Sequence, residues 1–178
     1  YTALNDIDIY TNPRNFDTDF NYDGNGNLKQ IITPIGTTTM NYNPAGQPTS
    51  ITNPEGITVS FGYNAFGNQN MVTAPGGIIS GATYDGASRL IESVNPNGQT
   101  TNYDYNPRDF ITKTTDALSH ETQFRYDDNG NLIEIENAKN EITTLGYDDN
   151  DFLRTETFGG FTKSYDYDDE GKLIKLTK

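Results

Sequence analysis

The chain has 178 residues, enough for one or two domains, but only 33% are hydrophobic and mean hydropathy is -0.74, so any core is thin or shared between neighbouring units. A net charge of -13 repels phosphate backbones and anionic membrane surfaces, which argues against nucleic-acid binding. There is no cysteine for disulfides or thiolate metal sites, no apolar run long enough to span a bilayer, and no basic start leading into an apolar stretch, so neither membrane insertion nor a signal peptide is expected.

The chain opens on Tyr1, inside a phrase that it goes on to repeat, and reads as a segment of something longer. The phrase recurs as YDGNGNL at 22–28, YDDNGNL at 126–132, YDDNDFL at 147–153 and YDDEGKL at 167–173. Its Tyr falls at Tyr1, Tyr22, Tyr42, Tyr63, Tyr84, Tyr105, Tyr126, Tyr147 and Tyr167, always 20 or 21 residues apart. A fixed period held along the whole chain marks a tandem array of about eight repeats over 1–178.

Other columns travel with the Tyr. The next residue is Asp or Asn except at Thr2. Four residues on stand Gly26, Gly46, Gly67, Gly130 and Gly171, with Asn5, Asp109 and Asp151 as substitutes. These residue types best tolerate a positive φ, and Ser88 is the exception. Six residues after Tyr come Ile7, Leu28, Leu90, Ile111, Leu132, Leu153 and Leu173, with Pro48 and Gln69 breaking the column. Two residues before Tyr, Phe20, Met40, Phe61, Ala82, Tyr103, Phe124, Leu145 and Tyr165 are all apolar or aromatic.

The stretch before each Tyr alternates: Thr101, Tyr103 and Tyr105 share one face, Asn102 and Asp104 the other. A period of two predicts a strand with one covered face. After the Leu the alternation fails, since Leu28 and Ile31 are three apart; a β-bulge and a reset by the turn both account for it. Midway between tyrosines lies a second turn, written TPIG (33–36), NPEG (53–56), APGG (74–77) and NPNG (95–98), in which Pro presets φ and Gly ends the turn. NPRN (12–15) keeps the Pro alone, and the signal weakens to DALS (116–119), NAKN (137–140) and FGGF (158–161). The reading is all-β: two-stranded antiparallel units of about 21 residues, stacked so that tyrosines form a ladder, with no substantial helix.

Repeated Y-D-x-x-G-x-L with x-P-x-G between resembles the YD-repeat, or RHS-repeat, family, which includes bacterial RHS toxins, cocoon-forming subunits of insecticidal toxin complexes, and teneurins. The resemblance covers essentially the whole chain. It implies one long sheet that curves or spirals into a shell, enclosing a C-terminal effector in the toxin members. Eight periods are expected to give an open, curved part of such a shell. The acidic autoproteolytic segment and the effector of the toxin relatives have no counterpart here, so their activities are not carried over.

Acidic phrases raise metal and acid–base chemistry. DFNYDG at 19–24 matches the start of an EF-hand loop through Asp19, Asn21 and Asp23, but the twelfth position is Gln30 rather than a bidentate Glu. These three are a weak calcium candidate, and the stronger reading gives Asp23 to its own turn. DYDDEG at 166–171 is a second near match, ending on Thr177. The pairs Asp127–Asp128, Asp148–Asp149 and Asp168–Asp169 repeat one environment, whereas a catalytic pair needs two unlike ones. The single His120, beside Ser119 in a turn, is expected to be exposed and makes no triad. No cofactor and no catalysis are expected.

The repeat Tyr and the residue two before it are expected to be core. The first reading is therefore a structural scaffold of a secreted or bacterial cell-surface protein, whose partners are further repeats and a C-terminal cargo domain. An adhesion module that binds glycan or protein through an exposed aromatic or acidic face is the alternative.

Overall fold

The computed structural model describes residues 7–178, so Tyr1, Thr2 and Asn5 of the repeat columns lie outside the described residues. The described chain forms seventeen strands and no helix. They are β1 (Ile9–Thr11), β2 (Asp17–Tyr22), β3 (Leu28–Thr33), β4 (Gly36–Tyr42), β5 (Pro48–Thr52), β6 (Thr58–Tyr63), β7 (Gln69–Ala74), β8 (Ile78–Tyr84) and β9 (Leu90–Val94), followed by β10 (Thr100–Tyr105), β11 (Ile111–Thr115), β12 (Glu121–Tyr126), β13 (Leu132–Glu136), β14 (Ile142–Tyr147), β15 (Leu153–Phe158), β16 (Phe161–Tyr167) and β17 (Leu173–Thr177). Every even-numbered strand ends on a repeat Tyr. From β3 on, every odd-numbered strand opens six residues after one.

The strands fall into two compact units, residues 1–88 with 94–98, and 89–93 with 99–178. In the first, β1 to β8 pair antiparallel in chain order. In the second, β9 pairs with β10, and β10 to β17 continue antiparallel in chain order. Short turns make this the cheapest topology, since neighbours in sequence are neighbours in space.

A bulge settles the broken alternation. Tyr22 pairs with Leu28 but Asn21 pairs with Gln30, leaving Lys29 as the extra residue. The same shift sits immediately before Tyr42, Tyr63, Tyr105, Tyr126, Tyr147 and Tyr167. One added residue brings Leu28 and Ile31 to the same face despite their odd spacing.

The expected core takes a different form. Among the described residues no side chain is fully buried. The repeat tyrosines and the column two before them are half-buried, while β12 alternates exposed and half-buried along its length. A sheet without a second layer shields its apolar face only through lateral neighbours, so the stripe is covered sideways rather than from above.

Candidate functional site at the interface between repeats

Most turns of the array rest on one device. In the first turn, Asp23 Oδ1 accepts from the backbone N–H of Asn25 and Asn27, both at 2.9 Å. Asn43, Asn64, Asn106, Asp148 and Asp168 do the same two and four residues on. The second turns led by Asn12, Asp116 and Asn137 repeat it. DALS and NAKN are thus not weakened copies: the leading Asp or Asn holds the turn, and Pro is dispensable.

The left-handed residue is equally constant. Ser119 (φ 64) and Asn140 (φ 59) take the conformation held by Gly56 (φ 78) in NPEG. Ser88, the apparent exception, is also left-handed at φ 64. Three second turns lack a leading Asp or Asn: in TPIG, contrary to the expectation that it matches NPEG, Thr33 pairs with Gly36 across Pro34 and Ile35; in APGG Gly76 (φ 82) and Gly77 (φ 78) are both left-handed; and in FGGF Phe158 pairs with Phe161 across Gly159 (φ 56) and Gly160 (φ 81), the signature of a two-residue type I′ hairpin.

The repeat Tyr reaches back one repeat. Its hydroxyl donates to the backbone carbonyl of the residue that opens the preceding odd strand: Tyr42 to Leu28 at 2.7 Å, Tyr63 to Pro48 at 2.8 Å, Tyr84 to Gln69 at 2.9 Å, Tyr105 to Leu90 at 2.7 Å, Tyr126 to Ile111 at 2.9 Å and Tyr147 to Leu132 at 3.0 Å. Tyr22 bonds Ile7 in the same way at 3.0 Å. The ladder between β3 and β4 begins only at Gln30–Thr39, so the Leu28 carbonyl lies beyond it and the hydroxyl supplies its partner. Only the carbonyl is used, so Pro48 and Gln69 can break the Leu column without breaking the contact. Partial desolvation pushes the Tyr126 and Tyr147 hydroxyls up, which keeps them protonated donors.

The residue five after Tyr faces the next repeat twice over. It covers that repeat's Tyr ring: Phe110 stacks on Tyr126 at 4.8 Å, Phe152 on Tyr167 at 5.1 Å, and the Arg89 guanidinium lies 4.9 Å from the Tyr105 centroid. It also meets the next left-handed residue, and the two are matched. A Cβ on Gly130 would sit 2.8 Å from Phe110 Cζ, and one on Gly171 2.9 Å from Phe152 Cζ, so Phe demands Gly. Arg89 instead meets Asp109 in a 2.7 Å ion pair, and Asn131 Nδ2 donates to Asp151 Oδ1. Gln47 Nε2 donates to the Gly67 carbonyl at 2.7 Å.

A second matched pair was not legible as a column. The residue nine after Tyr pairs directly with the residue two before its own Tyr, as Ile31 with Phe20 and Ile135 with Phe124, and in two copies its side chain also reaches diagonally to the residue two before the following Tyr. Where the latter is Tyr103 the former is Ser93, their hydroxyls 3.3 Å apart. Where it is Tyr165 the former is Glu156, which accepts its hydroxyl at 2.7 Å. The bulge hid this column, because it puts the spacing out of phase with simple alternation.

Of the calcium candidates, Asp23 serves its own turn and Asn21 bonds across the strand pair. Asp23 also accepts from Asn27 Nδ2 at 3.0 Å, and Asn21 Nδ2 donates to Gln30 Oε1 at 3.2 Å. Asp19 lies on β2, paired with Ile32. Among the described residues, no group of three or more His, Asp or Glu gathers as metal ligands. The side-chain bond from Asn27 is the largest influence holding Asp23 below its ordinary value, and the backbone bond from His120 does the same for Asp116. Partial desolvation pushes Asp127 and Asp148 up, but the turn bonds, with Arg154 at Asp148, outweigh it and leave both low. The exposed His120 ring contacts Asp116 Oδ2 at 3.0 Å. Each of these four carboxylates accepts from amides of its own turn, while their side-chain partners differ.

Comparison with known proteins agrees with this geometry. Residues 80–178 match the Teneurin YD-shell family, and residues 22–54 and 42–79 match the RHS Repeat. No curated protein matches. Among solved structures, the chain is similar to one titled as the Photorhabdus luminescens Tc holotoxin pore with a TccC3 mutation, at 19% identity and a TM-score of 0.66, covering 90% of this chain and 10% of that one. It is also similar to the TcdB2-TccC3 crystal structure, at 14% identity and a TM-score of 0.63, covering 90% of this chain and 12% of that one. The chain thus spans about a tenth of these solved chains, and the likeness is one of fold. With more than half of its length matched by one family and the tyrosine ladder running through the rest, the chain belongs to the YD-shell family of RHS repeats.

Proposed function

We propose that the chain is a stretch of wall in a β-shell that encloses or presents a C-terminal cargo domain of a secreted or cell-surface protein. The observation that carries this reading is the hydroxyl-to-carbonyl ladder. Seven repeat tyrosines each bond the preceding repeat, so side chains and backbone together knit successive repeats into a wall. The mechanism is steric: strand pairing forms the barrier, matched side chains close the seams, and acidic turns keep it soluble. Both solved structures described above include TccC3, one in a Tc holotoxin pore and one with TcdB2, which supports a container within a toxin assembly. Limited proteolysis tests it on a parent polypeptide that contains these repeats, beside its C-terminal domain alone. Survival of that domain only when the repeats are attached is expected; equal cleavage with and without them overturns the container.

A second reading, adhesion to glycan or protein, rests on a different feature from the Tyr column. Phe158 and Phe161, the latter 83% exposed, line a cavity of about 400 Å3 with Thr143, Glu156 and Lys163. An exposed ring beside paired charges suits a sugar face. A glycan-array signal lost on Phe161→Ala supports this reading, and the absence of any signal removes it.

A further inference from the structure

We propose that Asn97–Gly98 is a site of self-modification, where the turn converts through a cyclic imide to aspartate and isoaspartate, and that the fold withholds Asn129–Gly130 from the same reaction. The inference is independent of the wall reading. The sequence holds three Asn–Gly steps: Asn25–Gly26, Asn97–Gly98 and Asn129–Gly130. In each, the glycine nitrogen can attack the asparagine Cγ, because glycine has no Cβ to obstruct the approach. The new N–Cγ bond displaces the side-chain nitrogen as ammonia, which takes the glycine amide proton with it. Water then opens the imide at either carbonyl. One opening gives aspartate; the other gives isoaspartate, whose main chain runs through Cβ and is longer by that carbon.

The three steps share one turn bond. The glycine N–H donates to the carbonyl three residues back: Gly26 to Asp23 at 3.1 Å, Gly98 to Asn95 at 2.9 Å and Gly130 to Asp127 at 3.2 Å. At Asn97 nothing more holds the reacting atoms. Residues 95–99 are all exposed, and nothing lies within 4 Å of the place a Cβ would take on Gly98. Among the described residues the Asn97 side-chain amide has no hydrogen-bond partner. Asn25 is also exposed and its glycine N–H carries the same single bond, which places it with Asn97.

At Asn129 every participant is engaged. The attacking Gly130 nitrogen has a second, charge-assisted bond to Asp127 Oδ1 at 2.8 Å. The side-chain amide that must leave donates to Asp151 Oδ1 at 2.9 Å. The Phe110 ring covers Gly130 so closely that a Cβ there would lie 2.8 Å from its Cζ. Attack requires the Asn129 main chain and side chain to turn until the glycine nitrogen faces Cγ, and these contacts must break first. The protected step is the one that touches neighbouring repeats. The reactive one sits in the turn between β9 and β10, where its own atoms supply the restraint.

The test ages the full chain in mildly alkaline buffer, folded and in urea, and follows the three peptides by chromatography and mass spectrometry, which separate aspartate from isoaspartate. In urea the three steps convert at similar rates. In the folded chain Asn97 converts about ten-fold or more faster than Asn129, the weight of one charge-assisted hydrogen bond. Asp127→Asn removes the charge but keeps a residue type that leads the same turn at Asn43, Asn64 and Asn106. It speeds Asn129 several-fold and leaves Asn97 unchanged, so Asn97 serves as the internal control for folding. Folded Asn129 converting as fast as Asn97 overturns the protection. Conversion of Asn97 in urea alone overturns it as a site, because the shared turn bond then suffices to hold it. An Asp127→Asn chain whose Asn129 stays as slow as before refutes the charge-assisted bond as the restraint.

Discussion

Replacing Tyr126 by Phe and by Ala separates the two contributions of a repeat tyrosine. Phe keeps the ring stacked on Phe110 at 4.8 Å and removes only the hydroxyl that bonds the Ile111 carbonyl at 2.9 Å. That costs about 1 kcal/mol, the net worth of one hydrogen bond with its acceptor left unpaired. Ala also loses the stacked pair, about 1 kcal/mol, and the burial of a ring that is half-covered rather than enclosed, again about 1 kcal/mol. The total is about 3 kcal/mol, at the low end of what a fully buried aromatic loses, because no second layer closes over the ring. Repeat arrays need not unfold in one step, so the assay is native-state hydrogen exchange across β11 to β13, read alongside urea unfolding. Tyr126→Phe lowers protection locally, at the seam between β11 and β12, and Tyr126→Ala extends the loss into β13. A Tyr126→Phe chain indistinguishable from the parent would refute the hydroxyl ladder as a source of cohesion. Equal losses for Phe and Ala would show that the ring adds nothing.

Gly130→Ala forces a Cβ to 2.8 Å from Phe110 Cζ at φ 98 and costs roughly 2–3 kcal/mol, of which Phe110→Ala in the same chain relieves the steric part; thermal unfolding of the two single variants and the double variant reads the coupling. Asp23→Ala strips the acceptor from the Asn25 and Asn27 amides and lowers the urea midpoint, whereas Asp23→Asn keeps the acceptor and lowers it less. Acid weakens the array: Asp23, Asp116, Asp127 and Asp148 are all held below the ordinary value of 3.8, so the unfolded chain takes up protons first as pH falls. Their contribution is intact above that value and is lost as pH falls through the lower folded values, and an unfolding midpoint unchanged between pH 6 and 3 would contradict this.

The period, the strand-turn-strand grammar and the membership of the Tyr and −2 columns were legible because each needs one residue type at one spacing. Tyr22 and Phe20 declare a face by alternation alone. What was not legible depends on a partner one repeat away. Nothing in DALS or NAKN resembles NPEG until Asp116, Asn137 and Asn53 are seen to play the same part in their turns. The acidic phrase resembled a calcium loop because an Asx turn and an EF-hand loop both want an oxygen-bearing side chain near a left-handed residue. Here the oxygen of Asp23 faces its own backbone amides. The bulge before Tyr22 was half-legible: Leu28 and Ile31 showed that something broke the alternation, but only the pairing of Asn21 with Gln30 identifies the extra residue as Lys29.

A wall of this kind can dispense with a sealed core because its stabilising contacts run along the array rather than across it. In a two-layer domain each apolar side chain is covered from above, and one substitution opens a cavity. Here Tyr126 is covered by Phe110 from the preceding repeat and bonds that repeat's Ile111 carbonyl, and Phe110 in turn fixes Gly130 in the following turn. Changing one seam leaves the next seam's chemistry intact, as the array itself displays by using Arg89 with Asp109 at one seam and Phe110 with Gly130 at the next. Both solutions satisfy the same backbone, since the Tyr hydroxyl takes a carbonyl that any residue carries. That division explains how the period survives such varied wording. Hydroxyl and turn fix the geometry, while the matched side chains at each seam are free to differ provided that they change together.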